Sequence, residues 1–166
     1  MNNYPFKKYA TTVPADWVDF NGHMNTKYYG LVIYDAHIDF TEHLDLGERY
    51  RYANNCSKAL VESHCLFERE VCEGDEIEVI SWLLSVDNKR IHTFHEIYCV
   101  NKGYRAAAGE HIDVHIDLET RRVSSFPEAV LTRLKAIEAQ YSKLTPPKKV
   151  GNMSRFTGKP KASGSD

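Results

Sequence analysis

Hydrophobic positions recur along this chain with two different periods, and the places where the period changes mark its elements. In TKYYGLVIYDAHIDFTEHLDLG, from Thr26 to Gly47, residues Tyr28, Leu31, Val32, Asp35, Ala36, Asp39 and Phe40 fall three and four apart. That is the spacing of one helix face. Tyr29, Ile33 and Ile38 broaden the apolar surface beyond a stripe, so the helix is expected to be mostly wrapped by protein. Asn25 is suited to cap its start and Gly47 to stop it. Upstream, KYATTV (Lys8 to Val13) reads as a short strand ended by Pro14, and a polar loop runs on to Asn25.

From Cys56 the period drops to two. Ala59, Val61, Cys65, Phe67 and Val71 share one parity, and Lys58, Glu62, His64, Glu68 and Glu70 the other, which predicts a strand from Cys56 to Val71. The turns EGDE (Glu73 to Glu76), DNKR (Asp87 to Arg90) and NKGY (Asn101 to Tyr104) then separate strands at Ile77 to Val86, Ile91 to Val100 and Arg105 to Leu118. Long strands joined by tight turns form an antiparallel meander. In the last strand Ile112, Val114, Ile116 and Leu118 face one way and His111, Asp113, His115 and Asp117 the other, so one buried face is expected there. FPEAVLTRLKAIEAQ begins a final helix with Pro127 in its first turn.

The order is short strand, long helix, four long strands, short helix. This predicts an α+β fold in which a curved antiparallel sheet of about five strands wraps a long central helix. Such a sheet leaves an outer face and an edge, so a homodimer is expected, with a dimer of dimers as an extension. The domain should span 1–141. From Ser142 the chain is polar, with Lys143, Lys148, Lys149, Arg155, Lys159 and Lys161 against Asp166. Residues 142–166 are therefore expected to be a basic, flexible tail, or an arm ordered by a neighbouring subunit.

Composition narrows the partners. The chain has 166 residues, 42% of them hydrophobic and 27% charged, with a formal net charge of −2, which gives no reason to expect nucleic acid or an anionic membrane. The start, MNNYPFKKYA, has no apolar signal core, so a cytoplasmic location is expected. Cys56, Cys65, Cys72 and Cys99 form no CxxC pair. Buried free thiols in a reducing compartment are the expectation.

The densest chemistry lies in DFNGHMN, Asp19 to Asn25, immediately before the long helix. DFNGHMNTKYY in this arrangement resembles the hotdog-fold acyl-CoA thioesterases, in their 4-hydroxybenzoyl-CoA thioesterase-like branch. WVDFNGHMN, VESH, DNKRIHTFHE and GEHIDVHID in combination are most similar to the betainyl-CoA thioesterases. The likeness covers the chain from about Lys8 to the final helix. It implies a hotdog fold and metal-free hydrolysis of an acyl-CoA at a dimer interface, with Asp19 matching the catalytic acid by its distance from Gly22.

The residues themselves allow that chemistry. Asp19 can act as nucleophile or general base, or merely shape the turn. Backbone N–H groups at Asn25 and Thr26 would face a developing oxyanion at the positive end of a helix. Gly22 permits a backbone path or a close substrate approach. His23 could polarise the carbonyl, hold water or pin the loop. Asn21 could orient Asp19 or substrate, and Asn25 could do so or act as the cap. Asp16 is expected to face solvent. A quaternary-ammonium acyl group would want aromatic faces, and Trp17, Phe20, Tyr28, Tyr29 and Trp82 are candidates. Glu62 and His64 share a strand face and could serve the site or an interface. Lys89, Arg90 and Arg105 could meet CoA phosphates. Ala106 to Gly109 could thin a wall for the pantetheine arm or let helix and sheet pack closely. No metal is expected. His111, Asp113, His115 and Asp117 on one strand diverge rather than converge on one ion, and His92 and His95 lie on opposite faces. No cofactor is expected beyond CoA as part of the substrate. A hotdog-fold enoyl-CoA hydratase built on an Asp19–His23 dyad and a non-catalytic acyl-CoA-binding protein are the rival readings.

Overall fold

The computed structural model describes residues 5–151. Its elements are β1 (Phe6–Thr12), a 3-10 turn (Ala15–Trp17), α1 (Thr26–His43), α2 (Glu48–Asn54), β2 (Cys56–Phe67), β3 (Glu76–Val86), β4 (Arg90–Cys99), β5 (Tyr104–Asp117), β6 (Arg122–Val123) and α3 (Glu128–Tyr141). The antiparallel sheet runs in the order β1-β3-β4-β5-β2, with β6 beside β5. It curls around α1 as the hotdog resemblance implies. Among the described residues no helix is long and apolar enough to cross a membrane. All four cysteines are free thiols.

Asn25 caps α1 as expected, its side chain accepting from the Lys27 N–H. The helix stops before Gly47, at His43. Asp45 takes a left-handed turn at φ 51°, and Gly47 instead precedes α2, a helix whose sequence ERYRYAN carries too little apolar period to reveal it. The buried face of α1 is Tyr29, Val32, Ile33, Ala36, His37, Phe40 and Thr41. Leu31, Tyr34 and Ile38 are exposed within the chain. The helix is thus wrapped on one side and leaves an apolar face open. It lies against β1, β3, β4 and β5.

β2 ends at Phe67, short of the predicted Val71, and a bulge between Leu60 and Glu62 interrupts its alternation. Beyond Phe67 the chain leaves the sheet and crosses beneath the start of α1, where the Met24 N–H donates to Val71 O at 2.8 Å. β5 corrects a second expectation, because both of its faces are buried. Ala107 pairs with Ile97, Gly109 with His95 and His111 with Thr93; these residues and Asp113 point towards α1. The polar set lies inside, and Ile112 occupies the outer face with Glu110 and His92.

On the outer face, part of the predicted tail packs against the sheet. Lys149 Nζ bonds Glu68 at 2.7 Å, Lys148 O accepts from Arg105, and the Gly151 N–H reaches the Glu110 carboxylate. The basic residues from 152 onwards lie outside the described residues.

Candidate active site

The loop before α1 closes on itself. Val18 and Met24 form a bridge. The Asp19 N–H donates to His23 O and the Gly22 N–H to Asp19 O, at 3.2 and 2.9 Å. The turn requires φ +83° at Gly22, and a β-carbon there would meet nothing within 4 Å. Glycine is needed for the backbone conformation rather than for space.

This fold presents the Asp19 carboxylate with both oxygens held. Oδ1 accepts from the Asn21 N–H at 2.8 Å and Oδ2 from Asn25 Nδ2 at 3.1 Å. The Asn21 N–H, then the Asn25 amide and nearby His23, hold its pKa below that of an ordinary aspartate. Asp19 is therefore ionised at neutral pH.

Asn25 works in two directions. Its amide nitrogen steadies Asp19 while its Oδ1 caps Lys27 N–H at 3.1 Å. Its own N–H is taken by Trp17 O at 2.9 Å, and its carbonyl accepts from the Tyr28 N–H. This removes Asn25 from the expected pair of oxyanion donors. The Thr26 N–H remains without a protein acceptor among the described residues. It sits at the positive end of an eighteen-residue helix.

Asp19, Asn21, His23 and Thr26 share a groove of about 430 Å³ with Tyr29, Phe67, Arg69 and Glu70. The Tyr29 and Phe67 rings meet edge to face at 5.4 Å and form its apolar side. His23 Nε2 lies 3.2 Å from Glu70 Oε1, so the His23 ring is engaged by Glu70 rather than by Asp19. Phe67, Arg69 and Glu70 were not candidates in the sequence, because a strand continuing to Val71 would have carried them away from Asp19.

Other candidates lie elsewhere. Trp17 and Tyr28 stack on each other at 5.0 Å, and Tyr28 Oη bonds Asp16 O; they brace the loop and do not line the groove. Phe20 is 98% exposed. Trp82 is buried on the outer face, its Nε1 donating to Glu96. Glu62 and His64 pair with Ile112 and Glu110, which puts them on the outer face, away from Asp19. Lys89 and Arg90 sit in the β3–β4 turn by the far end of α1, and Arg90 is clasped to Asp87 at 2.6 Å. Within one chain they do not reach the groove. Arg105 is locked between Glu68 and Glu96, both at 2.8 Å. It floors an outer hollow of about 510 Å³ roofed by residues 145–149, where no carboxylate stands at a helix start. At Gly109 a β-carbon would lie 2.8 Å from Ile33 Cγ2, so this glycine serves close packing on α1.

Comparison with known proteins bears on this geometry. A family model described as the thioesterase-like superfamily matches residues 13–134. The chain is 34% identical over 145 residues to a betainyl-CoA thioesterase of Pseudomonas aeruginosa, covering 87% of this chain and 91% of that protein. It is also 34% identical over 138 residues to an L-carnitine dehydrogenase/betainyl-CoA thioesterase of Agrobacterium fabrum, covering 83% of this chain but only 28% of that longer protein. Among solved structures, a Staphylococcus aureus protein in complex with CoA superposes with a TM-score of 0.78 at 25% identity, covering 90% of this chain and 96% of that one. A 1,4-dihydroxy-2-naphthoyl-CoA thioesterase from Synechocystis shares the fold, with a TM-score of 0.66 at 17% identity over 78% of this chain and 96% of that one.

Proposed function

The chain belongs to the thioesterase-like superfamily and is a thioester hydrolase, and from that premise we propose that Asp19 drives hydrolysis of a small acyl-CoA, betainyl-CoA being the preferred substrate. One observation carries the reading: an ionised carboxylate anchored at both oxygens shares a groove with the Thr26 N–H at the start of α1.

Asp19 either attacks the thioester carbonyl or takes a proton from the attacking water. In both cases negative charge grows on the carbonyl oxygen. The Thr26 N–H, reinforced by the helix dipole, is the donor placed to receive it. If water attacks, the C–S bond then breaks and the free acid and CoA thiol leave. If Asp19 attacks, C–S cleavage releases CoA and leaves an acyl–Asp19 anhydride, which water hydrolyses to the free acid and the regenerated carboxylate. CoA is part of the substrate, and this proposal uses no cofactor.

The preference for a betainyl group rests on the two relatives named for it and on the groove wall. Tyr29 and Phe67 offer aromatic surface, and the largely exposed Glu70 adds negative charge beside it. Both features suit a quaternary ammonium. The hydratase reading loses its dyad, since His23 contacts Glu70.

The functional unit is proposed to be a homodimer joined through the open face of α1, at Leu31, Tyr34 and Ile38, and the adjoining edge strand β2, which exposes Leu60, Val61 and Phe67. Phe67 would then carry the interface to the groove.

Thiol release from a panel of acyl-CoAs tests the reaction. Betainyl-CoA should be the best substrate, and Asp19→Asn should lower kcat/KM about 10²–10⁴-fold. Hydrolysis at the wild-type rate by Asp19→Asn would end the proposal.

A further inference from the structure

Three imidazoles converge beneath the middle of α1, where an apolar core would be expected. His37 comes from α1, His95 from β4 and His111 from β5. One nitrogen of each lies within 4.8 Å of the other two, and His37 Nδ1 and His95 Nε2 are 3.1 Å apart. None of the three is more than 4% exposed.

The surrounding bonds aim the inward nitrogens. His37 Nε2 lies 3.3 Å from Asp113 Oδ1, and His95 Nδ1 lies 2.8 Å from Ser81 Oγ. The His37 and His95 rings thus have their outer nitrogens held, one of them by a carboxylate, and turn the other nitrogen inward. Metal-ligating histidines are oriented in this way. A chain of neutral histidines would satisfy the His37–His95 contact but leave the third ring over. His111 Nδ1 is buried without a hydrogen-bond partner, as is Thr93 Oγ1 on the strand position opposite.

We propose that His37, His95 and His111 form a buried site for a divalent transition metal, with zinc the best match. Zinc accepts imidazole nitrogens at about 2.0–2.1 Å in a tetrahedron, which places the ligand nitrogens about 3.3 Å apart. The His37–His95 separation of 3.1 Å matches that value, and the His111 nitrogen lies within 4.8 Å of both. A solvent molecule would complete the four. The strand β5 cannot build this site alone, because two of the three ligands come from other elements.

The charges facing the site are Asp113 and Lys58. Lys58 Nζ is 3.2 Å from His37 Nε2 and 3.6 Å from Asp113 Oδ1. It must draw back when a cation enters. His37 is eleven positions beyond Thr26, about 16 Å along the helix. The metal would therefore clamp α1 to β4 and β5, apart from the Asp19 groove.

The test uses the full chain, stripped with a chelator and titrated with zinc or cobalt(II). One equivalent per chain should bind and raise Tm, and bound cobalt should show the intense visible bands of a tetrahedral nitrogen site. His111→Phe, checked for folding by circular dichroism, should bind at least tenfold more weakly. His43→Gln, on the same helix but outside the cluster, should bind like wild type. No stoichiometric uptake by wild type, or equal uptake by His111→Phe, overturns the proposal. If His111→Phe does not fold, wild-type cobalt decides alone, and weak octahedral bands would overturn the site. Thiol release is not the readout, so this result is independent of the role of Asp19.

Discussion

A methyl group at Gly109 separates close packing from a substrate tunnel. Its ideal β-carbon would lie 2.8 Å from Ile33 Cγ2 and 2.9 Å from Cδ1. Cδ1 could rotate away, but Cγ2 is fixed by the branch point, and isoleucine in a helix holds one dominant χ1 rotamer. Either Ile33 leaves that rotamer or α1 lifts from β5. Overpacking of this kind costs about 1–3 kcal/mol. Replacing glycine within a strand returns about 0.5–1 kcal/mol, so Gly109→Ala should lose up to about 2.5 kcal/mol. For a chain of this length that lowers Tm by up to roughly 10 °C. A thermal melt followed by circular dichroism or calorimetry measures it. Repeating the substitution in an Ile33→Ala background removes the obstructing atoms, and there Gly109→Ala should be neutral or stabilising. Equal losses in the two backgrounds would refute the packing argument. An unchanged Tm with a fall in kcat/KM would restore the tunnel.

Two further outcomes follow from the groove and the open helix face. The Asp19 pKa is lowered in the folded chain and its ionised form is the active one, so kcat/KM should stay level through weakly acidic pH and fall only as pH drops through that lowered value. Asn25→Ala removes one of the bonds responsible, so the acid limb should move up towards that of an ordinary aspartate, while loss of the cap costs about 1 kcal/mol of stability; a limb that did not move would count against the Asp19 assignment. Tyr34→Glu places a charge in the open apolar face of α1, so sedimentation should show dissociation to monomers, and a dimer as tight as wild type would exclude that face as the interface.

What could be read from the sequence was local, for a physical reason. Asn25, Asp19, Gly22 and Thr26 lie within eight positions, so cap, carboxylate and helix start are brought together by one loop whose turn chemistry is written in those residues. Glu70 and Phe67 join them only because the chain leaves β2 after Phe67 so that Val71 can meet Met24. An edge strand continuing to Val71 fits the same alternating pattern, and nothing local marks where tertiary pairing ends it. β5 shows the same limit. Alternation assigns His111 and Asp113 to one face and Ile112 and Val114 to the other, but it does not say which face meets α1. Polarity alone sends the histidines outward. They point inward because α1 carries His37 between Ala36 and Phe40 on its buried face, and β4 brings His95 and Thr93 into register beside them. A polar face can be buried when its partners arrive from other elements. Here they come from a helix more than fifty positions earlier and from the neighbouring strand. The hint available in the sequence was therefore a histidine on the helix's apolar face, not the histidine pattern of the strand.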